Sequence, residues 1–209
     1  MLDLTGDRDI EWSFVAANIP PALRPGLEAL DFGCRDTSLG LIAAMRGYHT
    51  LSIDLEEQVF TWYHPNRRFR KLDLLDADFK GKQFDLIINC STIEHVGLPG
   101  RYGVTEGHPN GDVYAMTKLY ELMKPGAVQI LTLPVGLDAV FAPLHRVYGQ
   151  KRLDALLDGL AIEHQEFWRK DETLGWNPTD SETAINYPSA WDDQRRIYAI
   201  GCFVLRKAA

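Results

Sequence analysis

The chain has 209 residues, 45% of them hydrophobic and 24% charged, enough to enclose one full core. A formal charge of −7 argues against nucleic acid as a partner, because a polyanion is repelled at long range. No apolar run approaches the ~20 residues of a membrane helix, and the acidic start, Met1 to Asp7, is unlike a basic secretory leader, so a cytoplasmic protein with no membrane partner is expected. Residues 9–18 read as an amphipathic helix stopped by Pro20 and Pro21. An apolar strand over 27–31 runs straight into Phe32 and Gly33. Thr37 or Ser38 suits the cap of a helix reaching Arg46, with Gly47 at its C-terminal turn. A second strand follows over 50–54.

Arg67, Arg68, Arg70 and Lys71 form a basic cluster, read as a solvated run leading into a third strand over 70–73. Residues 84–89 are almost continuously apolar, as in a strand buried on both faces. Asp112 suits the cap of a helix whose Val113, Met116, Leu119, Tyr120 and Met123 keep helical spacing. Lys124-Pro125-Gly126 ends that helix before a fifth strand over 128–133. Residues 151–157 read as helical and 161–168 as a strand. The stretch 171–195, rich in Asn, Pro, Asp and Ser and carrying Trp176 and Trp191, reads as a long loop before a last strand over 196–205. The alternation predicts an α/β fold with helices on both faces of a mostly parallel sheet and an antiparallel partner at its C-terminal end. One domain over 1–209 is expected, with a helical cap over 1–26 and a loop insertion over 171–195.

In such a sheet, ligands bind outside the carboxyl ends of the strands. Asp31-Phe32-Gly33-Cys34-Arg35 leaves the first strand, and Gly33 permits a sharp turn close to a ligand. Asp54 ends the second strand, 21 residues after Gly33, where a carboxylate can accept both hydroxyls of a ribose. Each residue also has an ordinary reading, as a turn glycine and a helix-capping acid. Asp73 ends the third strand, where an acid can meet the exocyclic amine of adenine.

Taken together, Leu30 to Cys34, Ser52-Ile53-Asp54, residues 84–96 and Leu122 to Gly126 make the chain resemble the class I S-adenosylmethionine-dependent methyltransferases over about residues 27–136. The resemblance implies a Rossmann-like, seven-stranded sheet with an antiparallel last strand, and S-adenosyl-L-methionine as cofactor. It implies cofactor contacts at Asp31, Gly33, Cys34, Arg35, Asp54, Leu55, Asp73, Leu74 and Ser91. Gly33 and the backbone around Cys34 would face the methionine part, Asp54 the ribose, Asp73 and Leu74 the adenine, and Ser91 the sulfonium. The family's usual Gly-x-Gly is Gly33-Cys34-Arg35 here, so Arg35 either points away or pairs with the cofactor carboxylate. Residues 94–103, Gly111-Asp112, Leu133 to Gly136 and His145 to Tyr148 are similar to short methyltransferase-like proteins associated with sugar and cell-surface polysaccharide biosynthesis.

His95, just past the fourth strand, is the first candidate for a general base, against a structural role in holding the loop. Glu94 orients His95 or caps the following turn. His145 follows the fifth strand and is the second candidate. Arg146 pairs with an acidic group on substrate or forms a surface ion pair. Tyr102, His108 and Asp112 lie in or beside a glycine-rich loop that suits a lid. Cys34, Cys90 and Cys202 are too scattered for a zinc site or disulfide framework. Some quinone-biosynthesis methyltransferases place a metal-binding Glu where Ser91 stands, so no metal is expected. The expected activity is methyl transfer to a small-molecule or sugar acceptor, with a hydroxyl favoured. An NAD(P)-dependent oxidoreductase and a degenerate, non-catalytic binding protein are the alternatives.

Overall fold

Residues that alternate in facing along each central strand bury two separate apolar layers, and this places the helices. The computed structural model describes residues 6–35, 37–171, 175–191 and 196–209, without the side chains of Trp191 and Arg196. In chain order the elements are α1 (Arg8–Asn18), β1 (Glu28–Phe32), α2 (Leu39–Met45), β2 (His49–Asp54), β3 (Arg67–Lys71), β4 (Phe84–Cys90), α3 (Gly111–Leu122) and β5 (Met123–Val135). Then come β6 (Ala139–Phe141), β7 (His145–Val147), α4 (Gln150–Leu156), β8 (Leu160–Lys170), β9 (Trp176–Thr179), α5 (Ser181–Ile185), β10 (Ala190–Trp191), β11 (Arg196–Ile197) and β12 (Ala199–Lys207). On β4, Leu86 and Ile88 pack with Phe14 and Val15 of α1 and Ala43 of α2. Ile87, between them, faces the other way, into the layer that holds Met116 and Leu119 of α3 and Leu153 of α4.

The main sheet runs β3-β2-β1-β4-β5-β12-β8-β9. From β3 to β5 every pairing is parallel, whereas β12 is antiparallel to both β5 and β8. This is the expected architecture with one strand more than seven. The extra strand, β9, pairs antiparallel with β8 and comes from the stretch read as a loop over 171–195, which also supplies α5 and β10. Pro178 hid it, because proline argues against a central strand yet is tolerated at a sheet edge, where it lies here. The last strand is also divided: β11 pairs with β10, and β12 carries the long pairing.

Three further expectations need correction. The basic cluster is itself β3, and Arg67 is buried, its guanidinium 3.7 Å from the centre of the Phe60 ring and donating to the Ser52 hydroxyl at 3.1 Å. Asp112 is not a cap. It is fully buried in α3 and accepts two bonds from Arg152, at 2.6 and 2.9 Å, and one from the Tyr148 hydroxyl at 3.0 Å. Arg146 is no surface residue but 1% exposed, with Nε 3.8 Å from Asp112. It donates to the carbonyls of Val96 at 2.6 Å and His108 at 3.3 Å. Those bonds clamp both feet of the glycine-rich loop. Among the described residues no helix is long and apolar enough to cross a membrane.

Candidate functional site

The carboxyl ends of β1, β2, β4 and β5 open into a cavity of about 1040 Å³. Ligand pockets commonly span about 300–1,000 Å³, so this one lies at the large end of that range. At one end Gly33 turns the chain out of β1 with φ +67°, and its N–H and that of Cys34 both donate to the Ile53 carbonyl. A β-carbon on Gly33 would stand 2.1 Å from Cγ2 of Thr92, so glycine is required here by the packing of β1 against the residues after β4. Arg35 also lies in the left-handed region, at φ +38°, and its amide donates to Asp54 at 2.9 Å. The second oxygen of Asp54 accepts the Glu56 amide at 3.0 Å. A carboxylate offers about four acceptor sites, so Asp54 is oriented by backbone and keeps capacity for two hydroxyl donors. Asp73 accepts the Leu75 amide at 2.8 Å, and Leu55, Leu72, Leu74 and Leu75 supply an apolar wall.

Asp31 and Cys34 stand outside the lining. Asp31 is buried beneath β1, where it accepts the Ser52 hydroxyl at 2.9 Å and lies 3.9 Å from Arg67. Burial raises its pKa to about 6 against those two partners. Cys34 is buried as well, and the same cause pushes its thiol far up. Asp31 thereby ties β1 to β2 and β3.

At the other end a short helical turn, Ile93–His95, follows β4. The Ser91 hydroxyl donates to Glu94 Oε1 at 2.7 Å, and His95 Nε2 lies 3.5 Å from the same oxygen. His95 Nδ1 is 2.6 Å from the Leu144 carbonyl, which assigns the ring proton to Nδ1 and leaves the Nε2 lone pair free of it. Burial lowers His95 to about 4, so the ring is neutral at pH 7. His145, on β7, lines the same end and is lowered to about 4 by burial and by His95 beside it. Glu94, 1% exposed, is raised by burial to about 7, against the bond from Ser91. Arg101 and Tyr102 close over these groups: the Tyr102 ring lies 5.6 Å from His95 and its hydroxyl 3.4 Å from Arg35. Arg35 therefore reaches across the cavity rather than away from it. Trp176 packs edge-on against Tyr198, whereas the side chain of Trp191 lies outside the described residues.

Glu11 is one of the lining residues that sequence reasoning missed. It sits on α1, 1% exposed, and burial, then Asp7 and Glu94, raise its pKa well above the ordinary value. A signal existed: Glu11 precedes Phe14 and Val15 by three and four residues, so it shares their buried face. Among the described residues no three His, Cys, Asp or Glu side chains come together as metal ligands.

The raised Glu94 gives a test of stability. Its neutral form is favoured by the fold, so the cost of ionising it is absent below about pH 4.5 and is fully felt above about pH 7. Glutamine keeps an acceptor for Ser91 and cannot ionise. Glu94→Gln should therefore match the wild type in urea unfolding at acid pH and exceed it by on the order of 3 kcal/mol near pH 8. A wild-type advantage at the alkaline end would contradict the assignment.

Comparison with known proteins bears on the fold. Residues 73–174, just under half of the chain, match a family model described as a Caenorhabditis protein of unknown function, DUF268. No curated protein matches by sequence. The chain is similar to the 1,6-didemethyltoxoflavin-N1-methyltransferase of Burkholderia thailandensis, solved with that substrate and S-adenosylhomocysteine, with a TM-score of 0.62 and 14% identity over 99% of this chain and 80% of that one. It is similar to the N-methyltransferase NodS of Bradyrhizobium japonicum, also solved with S-adenosylhomocysteine, at a TM-score of 0.56 and 11% identity over 97% and 88%. The fold is that of S-adenosylmethionine-dependent methyltransferases. It is shared by a cyclase, SpnF, at a TM-score of 0.59 and 12% identity over 96% and 81%.

Proposed function

We propose that this chain is an S-adenosylmethionine-dependent methyltransferase acting on a small molecule. The observation that carries this reading is Asp54, held by two backbone amides at the end of β2 with acceptor capacity to spare, beside the apolar wall of Leu55, Leu72 and Leu74. That combination suits a nucleoside, with the sugar hydroxyls on the carboxylate and the base on the leucines. When bound, the cofactor supplies an electrophilic methyl group carried on a sulfonium. Asp54 holds the ribose, Asp73 and Leu74 border the adenine, the Gly33 turn allows close approach, and Ser91 flanks the transfer point. Arg35 bridges to Tyr102 and so draws the loop over the bound group.

The acceptor occupies the end walled by Glu94, His95, His145 and the loop. Most of the acceleration in such a displacement comes from positioning and exclusion of water, which this buried end provides. Sequence points to His95 as the base. Its low pKa makes it a poor store for a proton, whereas Glu94, raised to about 7, is matched to neutral pH. We therefore assign proton acceptance to Glu94 and acceptor positioning to His95 and His145.

Calorimetry tests the cofactor assignment. S-adenosylhomocysteine should bind, and Asp54→Ala should weaken it by about 1–3 kcal/mol, the scale of lost hydrogen bonds to a charged group. Binding of NAD with no binding of either adenosyl compound would replace this reading with a dehydrogenase.

A further inference from the structure

We propose that the acceptor end binds its ligand through a primary or secondary ammonium group held between Glu11 and Glu94. This rests on the methyltransferase reading and narrows its acceptor from small molecules in general to amines. Glu11 arrives from α1 and Glu94 from the turn after β4, each is 1% exposed, and both line the cavity. Glu11 Oε1 and Glu94 Oε2 have no hydrogen-bond partner among the described residues. Buried acceptors are nearly always paired, so two left open in one cavity wall indicate a group that the bound ligand brings.

The chemistry of that group follows from the two acids. A hydroxyl carries one hydrogen and satisfies one oxygen. An ammonium carries two or three and a positive charge, and so satisfies both. An anionic ligand would meet two carboxyls, with Asp7 a third contributor to the same field. Arg8 and Arg101 face Glu11 and Glu94 and lower their pKa values, but by less than burial raises them. Arg8 is exposed and stacks on Trp12, Arg101 donates to the Leu144 carbonyl and lies on the Tyr102 ring, and Lys170 packs against Trp176 and Tyr198. His95 and His145 are neutral at pH 7 and add no competing charge. An ammonium must shed one proton before its nitrogen can accept a methyl group. That proton passes to the Glu94 carboxylate, leaving a carboxylic acid and a neutral amine with its lone pair free.

The test uses two probes of one shape, benzylamine and benzyl alcohol, titrated by NMR into protein saturated with S-adenosylhomocysteine at neutral pH. The amine should bind at least about tenfold more tightly than the alcohol. In Glu11→Gln that preference should fall to about twofold or less, with S-adenosylhomocysteine affinity unchanged as proof that the fold is intact. Glu94→Gln is the second variant, should the first fail to fold. Equal or tighter binding of the alcohol, no amine binding at millimolar concentration, or a preference that survives both substitutions overturns the proposal. Should S-adenosylhomocysteine fail to bind while the Glu11-dependent preference persists, the methyltransferase reading falls and the ammonium site stands.

Discussion

Asp112→Ala is expected to remove about 3–5 kcal/mol of folding stability, the scale of breaking a buried ion pair on one side. The reason lies in what is left behind. Arg152 has 27% of its side chain exposed and can turn to water, but Arg146, with 2% exposed, cannot. Its charge would stay in the interior with only carbonyl oxygens for company, and the Tyr148 hydroxyl would lose its acceptor. Asp112→Asn should cost less, because the amide oxygen still accepts from Tyr148 and Arg152 Nε, although the charge is gone and the amide nitrogen replaces the oxygen that takes Arg152 Nη2. Urea unfolding of the three proteins measures the series. An alanine variant within 1 kcal/mol of wild type would show that Arg146 finds solvent after all.

The second large effect concerns turnover. Once an acceptor is in hand, Glu94→Gln should lower kcat by about 10²–10⁴-fold, the usual range for loss of a working base. His95→Ala and His145→Ala should act mainly on KM, because their rings position the acceptor and are uncharged at neutral pH. The pH profile separates the roles. The basic form of Glu94 is its carboxylate, so wild-type rate should rise as pH passes through about 7 and level off above it. The glutamine variant should lack that limb. If His95→Ala loses the limb and Glu94→Gln keeps it, the base is the histidine. The same glutamine is expected to make the protein more stable near pH 8, as an active group held at energetic cost should.

The parts of this fold legible in sequence are those where one physical signal dominates. Residues 84–90 are mostly apolar on both faces because β4 lies in mid-sheet with a helical layer on each side. The turn at Gly33 and the carboxylate of Asp54 were legible because a glycine leaving one strand and an acid ending the next are local signals. Where signals conflict, the reading slipped. β3 is written in arginines, and only the pairing of Arg67 with Ser52 and Asp31 makes it an interior strand residue. β9 was concealed by Pro178. Arg146 and Asp112 each have an ordinary surface use, and their burial depends on partners from β7 and α4 that no local pattern announces. Asp31 and Cys34 belong to the right motif, yet which of its side chains turn toward the cavity is decided by packing against β3.

The clamp that Arg146 places on the Val96 and His108 carbonyls has a kinetic consequence. With both feet of the loop pinned to one buried cation, the segment between them is built as a flap on fixed hinges. Arg101 and Tyr102 are on that flap, over the boundary between the two ends of the cavity. Ligand exchange then needs only the tip to swing. The sheet and its helices stay still, and the swing must break the Tyr102 contact with Arg35 and the Arg101 bond to the Leu144 carbonyl.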